Sequence, residues 1–210
     1  MMKNKMQTRR MALLGIFIGF ELVLMLTPLG YIPIGPLKAT TLHIPVILIA
    51  VACGWKEGAV LGAVFGLTSV VMNTLTPTPV SFVFTPFYSF GELHGNFNSL
   101  LVALVPRILI GVSSGLVMLG LKKLKVNENI AVAAAAIIGS LCNTVLVLAG
   151  IYIFFGPAYA AVKGIAYDAL MGVIWGTITT NGILEAVLAL ILVSAIYKAI
   201  KPLLKGVSHA

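Results

Sequence analysis

Four polar side chains stand inside long apolar segments of this sequence: Arg107, Asn143, Asn181 and Glu185. Guanidinium, amide and carboxylate groups in apolar surroundings can hold a small polar molecule through hydrogen bonds and charge. A charged side chain at the centre of a lipid bilayer costs about 2.5–3.5 kcal/mol on insertion scales. If the segments cross a membrane, the four residues predict a buried polar binding site.

Asn181 and Glu185 are four residues apart, so an α-helix would place both side chains on one face. We expect this polar stripe to line a cavity or a gate, and a hydrogen bond to another helix is the alternative. Asn143 and Thr144 are expected to face the same cavity. Interhelical hydrogen bonding is equally open for these two residues and for two further candidate ligand contacts, Asn73 and Tyr152. Asn96 lies in an outer loop and is a candidate lid contact, for which solvated loop polarity is the commoner explanation.

Arg107 follows Pro106 near the start of its apolar segment. The planar guanidinium fork suits a carboxylate or phosphate, so Arg107 predicts an anionic ligand. Two alternatives are snorkelling to outer headgroups and an ion pair with Glu185 or Glu92. Glu21 is a second carboxylate in an apolar segment, and the sequence names no partner for it.

The composition decides the class of protein. Hydrophobic residues make up 60% of the chain and charged residues 10%, whereas soluble proteins have about 45–50% and about 25%. The mean hydropathy is +1.07. We therefore predict an all-α integral membrane bundle of six transmembrane helices, as one domain over residues 1–210. The expected spans are about 11–28, 40–54, 58–75, 100–121, 131–155 and 173–197, and the second is short for a bilayer.

The positive charge sets the predicted orientation. With six spans, eleven of the fourteen Lys and Arg residues fall on the side that holds both termini, and Lys38, Arg107 and Lys163 fall on the other. The positive-inside rule then places both termini in the cytoplasm, with the protein in the cell membrane. This asymmetry explains the net charge of +8 without a nucleic-acid partner. The long connections 29–39, 76–99 and 156–172 lie outside, which indicates that a ligand arrives from outside.

Glycines recur every four residues at Gly58, Gly62 and Gly66. Small residues at this spacing let another helix approach closely. They predict a docking face for a partner membrane subunit, and packing within the bundle is the alternative.

Two motifs for energy conversion and hydrolysis are missing from the sequence. It contains neither the Gly-x4-Gly-Lys-Ser/Thr motif of ATPases nor the His-Glu-x-x-His motif of zinc proteases. Cys53 and Cys142 show no metal spacing, and His43 and His94 are too far apart to form a recognised metal motif. We expect no catalytic residue, metal or cofactor, and a binding subunit that takes its energy from partners.

The order and spacing of several short stretches resemble the substrate-binding S components of energy-coupling factor (ECF) vitamin transporters. These stretches are Arg9-Arg10-Met11-Ala12-Leu13, His43-Ile44-Pro45-Val46-Ile47, Gly62 to Ser69, Val105-Pro106-Arg107-Ile108-Leu109, Asn143-Thr144-Val145-Leu146, and Asn181 to Glu185. The resemblance covers about residues 8–200 and is strongest to the pantothenate subgroup, with folate carriers as relatives. It implies a six-helix subunit that binds one vitamin from outside, with a pocket built by helices four to six and the outer loops.

The resemblance also implies partners. An S component docks on a transmembrane coupling subunit that is driven by two cytoplasmic ATPase subunits. Many S components use an Ala-x3-Ala pair in the first helix for this contact, but here Ala12 is followed four residues later by Ile16. We expect either Thr8 and Ala12 or Gly15 and Gly19 to supply an alternative small-residue face.

Three classes of function are weighed on this basis, and the first, a vitamin-binding S component, leaves the vitamin open. Pantothenate uptake comes first, with Arg107 binding the carboxylate, and Asn143 and Asn181 binding the amide and hydroxyls. Folate or another vitamin is the alternative within the family, since loop aromatics could stack on a flat ring. An autonomous secondary transporter or channel, with Glu21 and Glu185 as proton or cation sites, and an intramembrane enzyme are the other classes.

Overall fold

The computed structural model describes residues 2–34 and 37–204, so Lys205, one of the cations counted above, lies outside the described residues. Its helices are α1 (Met2–Leu26), α2 (His43–Cys53), α3 (Trp55–Leu75), α4 (Phe97–Lys123), α5 (Glu128–Lys163), α6 (Tyr167–Thr177) and α7 (Ile183–Ile200). A π-helical turn, Ile178–Gly182, joins α6 to α7, so Tyr167–Ile200 forms one continuous sixth helix. The prediction of a mostly helical protein is confirmed.

Four helices in the described part of the chain are long and apolar enough to cross a membrane. They are α3, α4, α5 and the sixth helix, Tyr167–Ile200. The predicted second span, 40–54, was too long at its N-terminal side, because Thr40 ends a strand and α2 begins at His43. Eleven helical residues rise about 16 Å, roughly half of a bilayer core of about 30 Å.

Helix α2 forms the centre of the bundle. All of its residues are buried, and α1, α3, α4, α5 and α7 pack around it. A helix that is apolar on every side is stable only when other elements cover it, which explains why its sequence shows no polar face. Gly54 connects α2 to α3 with φ at 129°, a conformation that favours glycine.

Helices α3 and α4 approach closely along the predicted glycine face. A Cβ at Gly62 would meet the backbone of Arg107, and one at Gly58 would meet Gly111 within about 3 Å. Gly66 faces Ala103 and Leu104 in the same way. This face is covered by α4, so its contacts are those of packing within the bundle.

Two short hairpins lie between the helices, and the all-α prediction did not include them. Strand β1 (Tyr31–Ile34) pairs antiparallel with β2 (Leu37–Thr40), with Tyr31 opposite Thr40. Strand β3 (Ser89–Phe90) pairs with β4 (Leu93–His94). Short 3₁₀ turns, Pro28–Gly30, Ser81–Val83 and Lys201–Leu204, flank the helices and hairpins.

The predicted long connection 156–172 was wrong. Helix α5 continues through Pro157 to Lys163, and the sixth helix starts at Tyr167, so only residues 164–166 separate them. Proline removes one helical hydrogen bond, but in apolar surroundings the remaining backbone groups are best satisfied inside a helix. Gly164 then ends α5 in the left-handed conformation, with φ at 65°.

Candidate functional site

The Glu185 carboxylate joins three elements below the first hairpin. It is 8% exposed, and its Oε1 accepts hydrogen bonds from the Thr40 backbone N–H at 3.0 Å and from the Thr40 hydroxyl. Its Oε2 accepts a hydrogen bond from the Thr144 hydroxyl at 3.2 Å. The structure thus brings together two predicted site residues, Thr144 and Glu185, and fastens the end of β2 to both α5 and α7.

His43 lies beside this cluster. It is the first residue of α2, is 1% exposed, and interacts electrostatically with Glu185. Neither ring nitrogen has a hydrogen-bond partner among residues 2–34 and 37–204. Sequence reasoning considered His43 only as a metal ligand and did not consider Thr40 at all. Within the described ranges, no three His, Cys, Asp or Glu side chains are grouped as a metal site needs.

Two amide oxygens beside the cluster are buried without donors. The Oδ1 atoms of Asn143 and Asn181 have no hydrogen-bond partner in the described part of the protein. Asn143 precedes Thr144 on α5, and Asn181 lies in the π-helical turn, where Gly182 packs against Thr144. A buried acceptor without a donor costs about 1–3 kcal/mol, so each oxygen favours a donor supplied from outside the chain. π-Helical turns often occur at functional sites.

Arg107 is also buried, with 8% exposure. Its Nη1 donates to the Val102 carbonyl at 2.8 Å, which directs the side chain towards the first turns of α4. The guanidinium carbon lies 5.6 Å from the Phe65 ring centroid and 5.4 Å from that of Phe84. These aromatic faces stabilise the cation in an apolar environment. Phe84 is one of the loop aromatics that were expected to stack on a flat ligand, and here it contacts the arginine.

Three other predicted contacts hold loops and helix ends. Asn73 donates to the Ser69 carbonyl and accepts from the Ser81 hydroxyl, each at 2.8 Å. Asn96 caps α4, accepting from the Asn98 N–H at 2.8 Å. The Tyr152 ring stacks on Tyr167, with ring centroids 5.8 Å apart. Their contact with a ligand stays a prediction.

One hydrolase-like spacing occurs in α4 and was missed in the sequence. Gly111-Val112-Ser113-Ser114-Gly115 matches the Gly-x-Ser-x-Gly pattern of serine hydrolases, which needs a sharp strand-to-helix turn. Here both serines lie inside a helix: Ser113 Oγ donates to the Ile110 carbonyl and Ser114 Oγ to that of Ala135. The local geometry is that of helix packing and does not present a nucleophile.

Helix α1 has two unlike faces. Ala12, Gly15 and Gly19 are exposed, and a Cβ at either glycine would meet no atom within 4 Å. Glu21 lies on the inner face at 0% exposure, and neither carboxylate oxygen has a hydrogen-bond partner among the residues described. The outer face is therefore open for a partner.

Comparisons with known proteins show the family to which the chain belongs. The family described as "ECF transporter, substrate-specific component" matches residues 9–197. The "Pantothenic acid transporter PanT" of Lactococcus lactis subsp. cremoris is 38% identical over 200 residues, which cover 94% of this chain and 96% of that protein. The "Pantothenate transporter PanT" of Leuconostoc mesenteroides subsp. mesenteroides is 28% identical over 213 residues, covering 97% and 96% of the two chains.

Proposed function

We propose that this chain, which belongs to the family of ECF transporter substrate-specific components, is the pantothenate-binding subunit of an ATP-driven importer. The observation that carries the proposal is the 38% identity, over 94% of the chain, to a relative named for pantothenic acid transport. The protein acts by binding, and no chemical conversion of the vitamin is assigned to it.

The chemistry of the site supports pantothenate as ligand. Pantothenate carries two hydroxyls and an amide N–H, which are donors for the buried Oδ1 atoms of Asn143 and Asn181. It also carries one carboxylate, for which Arg107 is the assigned cation. The guanidinium presents its N–H donors in a planar fork, the geometry that suits a carboxylate. The Glu185 oxygens accept from Thr40 and Thr144, so we assign Glu185 to holding the hairpin over the site.

The proposed topology has six membrane-associated helices in one domain, with both termini in the cytoplasm of a prokaryotic cell. The distribution of Lys and Arg supports this orientation. An ion pair joins the start of α5 to the end of the sixth helix, since Lys201 Nζ lies 2.6 Å from Glu128 Oε2. This contact supports a position of both helix ends on the same side of the bundle. The short helix α2 then occupies a position enclosed by the other helices.

The proposed partners are a transmembrane coupling subunit and two cytoplasmic ATPase subunits. We assign the docking face to Ala12, Gly15 and Gly19 on α1, because these small residues are exposed and, among the described residues, no atom lies within 4 Å of a Cβ at either glycine. Gly58, Gly62 and Gly66 pack against α4, so we assign them to the bundle and not to the partner.

Thermal stability of the purified chain against a panel of vitamins tests the function. A ligand at a hundredfold excess over its Kd stabilises a protein by about 2.7 kcal/mol. We expect a shift with pantothenate and none with folate. A shift with folate alone would reassign the substrate. The alternative is an autonomous transporter, in which Glu21 and Glu185 carry protons or cations. No thermal shift with any vitamin, together with solute uptake by vesicles that contain this chain alone, would favour that alternative.

A further inference from the structure

A groove separates the first turns of α1 from the start of α3. Its volume is about 570 Å³, and its lining residues are Gln7, Arg10, Met11, Leu14, Lys56, Glu57 and Val60. Two of these are cations, one is a carboxylate, and three are apolar side chains. The groove is therefore cationic at the polar end and apolar along its wall.

Two charged groups of the groove, Lys56 and Glu57, lie where α3 begins, and the third, Arg10, lies on α1. Arg10 Nη1 lies 3.6 Å from Glu57 Oε1, which joins α1 to α3. Lys56 Nζ lies 5.6 Å from the Trp55 ring centroid, and this ring is exposed. Tryptophan and lysine side chains at a helix end are typical of the boundary between membrane and water. The cations therefore lie at headgroup depth.

The apolar wall leads away from the cations along the two helices. Met11 and Leu14 follow Arg10 on α1, and Val60 is one turn beyond Lys56 on α3. Met11 and Val60 are exposed, so the wall is open to the surroundings of the bundle. A ligand that fits has a negative headgroup and a hydrocarbon chain.

We propose that this groove binds one anionic glycerophospholipid, with its phosphate between Arg10 and Lys56 and an acyl chain along Met11, Leu14 and Val60. The excess of cations over carboxylates in the lining selects an anionic over a zwitterionic headgroup. Ala12 of the proposed docking face is two residues beyond Arg10, which rotates it by about 200° around α1, so the phosphate end of the groove faces away from it. Met11 is four residues before Gly15 and shares its face, so the acyl chain lies beside that part of the docking face.

The test is native mass spectrometry of the full chain in detergent with equal amounts of phosphatidylglycerol and phosphatidylcholine. We expect one phosphatidylglycerol to be retained in preference to phosphatidylcholine. The double variant R10Q/K56Q should weaken that binding by about fivefold for each cation removed. The charge-preserving variant R10K/K56R should retain it, and the pantothenate-induced thermal shift should persist in all of these proteins.

A matched pair of cations, Lys122 and Lys123 at the end of α4, provides the control. If K122Q/K123Q loses as much phosphatidylglycerol binding as R10Q/K56Q does, the proposal is overturned in favour of a general attraction between the basic protein and negative lipids. If glycerol phosphate displaces phosphatidylglycerol as well as the whole lipid does, the groove binds anions and does not recognise the acyl chain, which would overturn the proposal. Unchanged lipid binding in R10Q/K56Q, with lost capture of the coupling subunit, would assign the groove to that subunit.

Discussion

Thr40 and Glu185 are 145 residues apart in sequence, yet the Thr40 backbone N–H donates to the Glu185 carboxylate at 3.0 Å. The Thr40 hydroxyl donates to the same oxygen. One carboxylate on α7 thus fixes the last residue of the first hairpin. Hydrogen bonds to charged groups contribute about 1.5–3 kcal/mol each, so this contact is strong enough to set the position of the hairpin.

Glu185→Ala should release the hairpin. We expect the Thr40 amide hydrogen to exchange faster in the variant, and pantothenate affinity to fall at least about tenfold because one such bond exceeds the free energy of a tenfold change. Hydrogen exchange with mass spectrometry and a binding titration measure the two effects. Glu57→Ala, which removes a carboxylate paired with Arg10, is the control. Equal Thr40 exchange in wild type and Glu185→Ala would contradict the assignment.

Asn181→Leu should separate binding from stability. The substitution keeps the side-chain size and removes a buried acceptor that has no donor within the described residues, so the unliganded protein should be as stable as wild type or more so. Pantothenate affinity should fall by about tenfold or more, the value of one hydrogen bond to the ligand. Thermal unfolding with and without the vitamin gives both quantities.

Asn73→Leu is the matched comparison for that experiment. Asn73 donates to Ser69 and accepts from Ser81, so its loss should lower stability even without ligand. If Asn181→Leu also destabilised the empty protein and left affinity unchanged, Asn181 would be a packing residue.

Arg107 can be tested by a change in the ligand. The alcohol analogue of pantothenate lacks the carboxylate, so wild-type protein should prefer pantothenate to it. In Arg107→Gln that preference should disappear, because charge-assisted hydrogen bonds to the carboxylate are lost. Affinities of both ligands for both proteins form a double-mutant cycle. A preference that survives in Arg107→Gln would place the carboxylate elsewhere.

Gly62→Ala should weaken the contact between α3 and α4. Its Cβ would meet the Arg107 backbone, and overpacking of this kind costs about 1–3 kcal/mol. Gly120→Ala is the control, because nothing lies within 4 Å of a Cβ there. Thermal unfolding in detergent should rank Gly62→Ala below wild type, and Gly120→Ala at or above it. The opposite order would remove the close packing inferred for this helix pair.

Bulky residues on the open face of α1 should prevent assembly. Gly15→Leu and Gly19→Leu add side chains where no neighbour lies within 4 Å, so vitamin binding and stability should remain while co-purification with the coupling subunit is lost. Gly172→Leu adds the same side chain at another open position, on the sixth helix. If both α1 variants assemble normally with the coupling subunit, the docking face does not lie on α1.

Periodicity and hydropathy were sufficient for the long helices, because burial of apolar faces leaves a signal in every turn. They were insufficient for α2, because its apolar segment is covered by protein and the preceding hairpin delays its start to His43. They also placed a loop at Pro157, where the helix continues to Lys163. In each case packing by distant segments decided the outcome.

The site was predicted in part for a similar reason. Polar residues within apolar segments identified Thr144 and Glu185, which are in contact. Thr40 was missed because it does not stand out locally, and His43 was weighed as a metal ligand but not as a neighbour of Glu185. Their positions depend on a hairpin that brings residues 145 apart together, and single-sequence patterns contain no information at that range.

The π-helical turn at Ile178–Gly182 gives the sixth helix one place where its length is adjustable. Deleting a residue from an ordinary α-helix rotates all later residues by about 100°, which would turn Ala189 and Val193 out of the core. In the π turn, the same deletion converts i→i+5 bonds to i→i+4 bonds and leaves both flanks in register. Family members whose sixth helix is one residue shorter can therefore share this fold, with the gap in their alignment at residues 178–182.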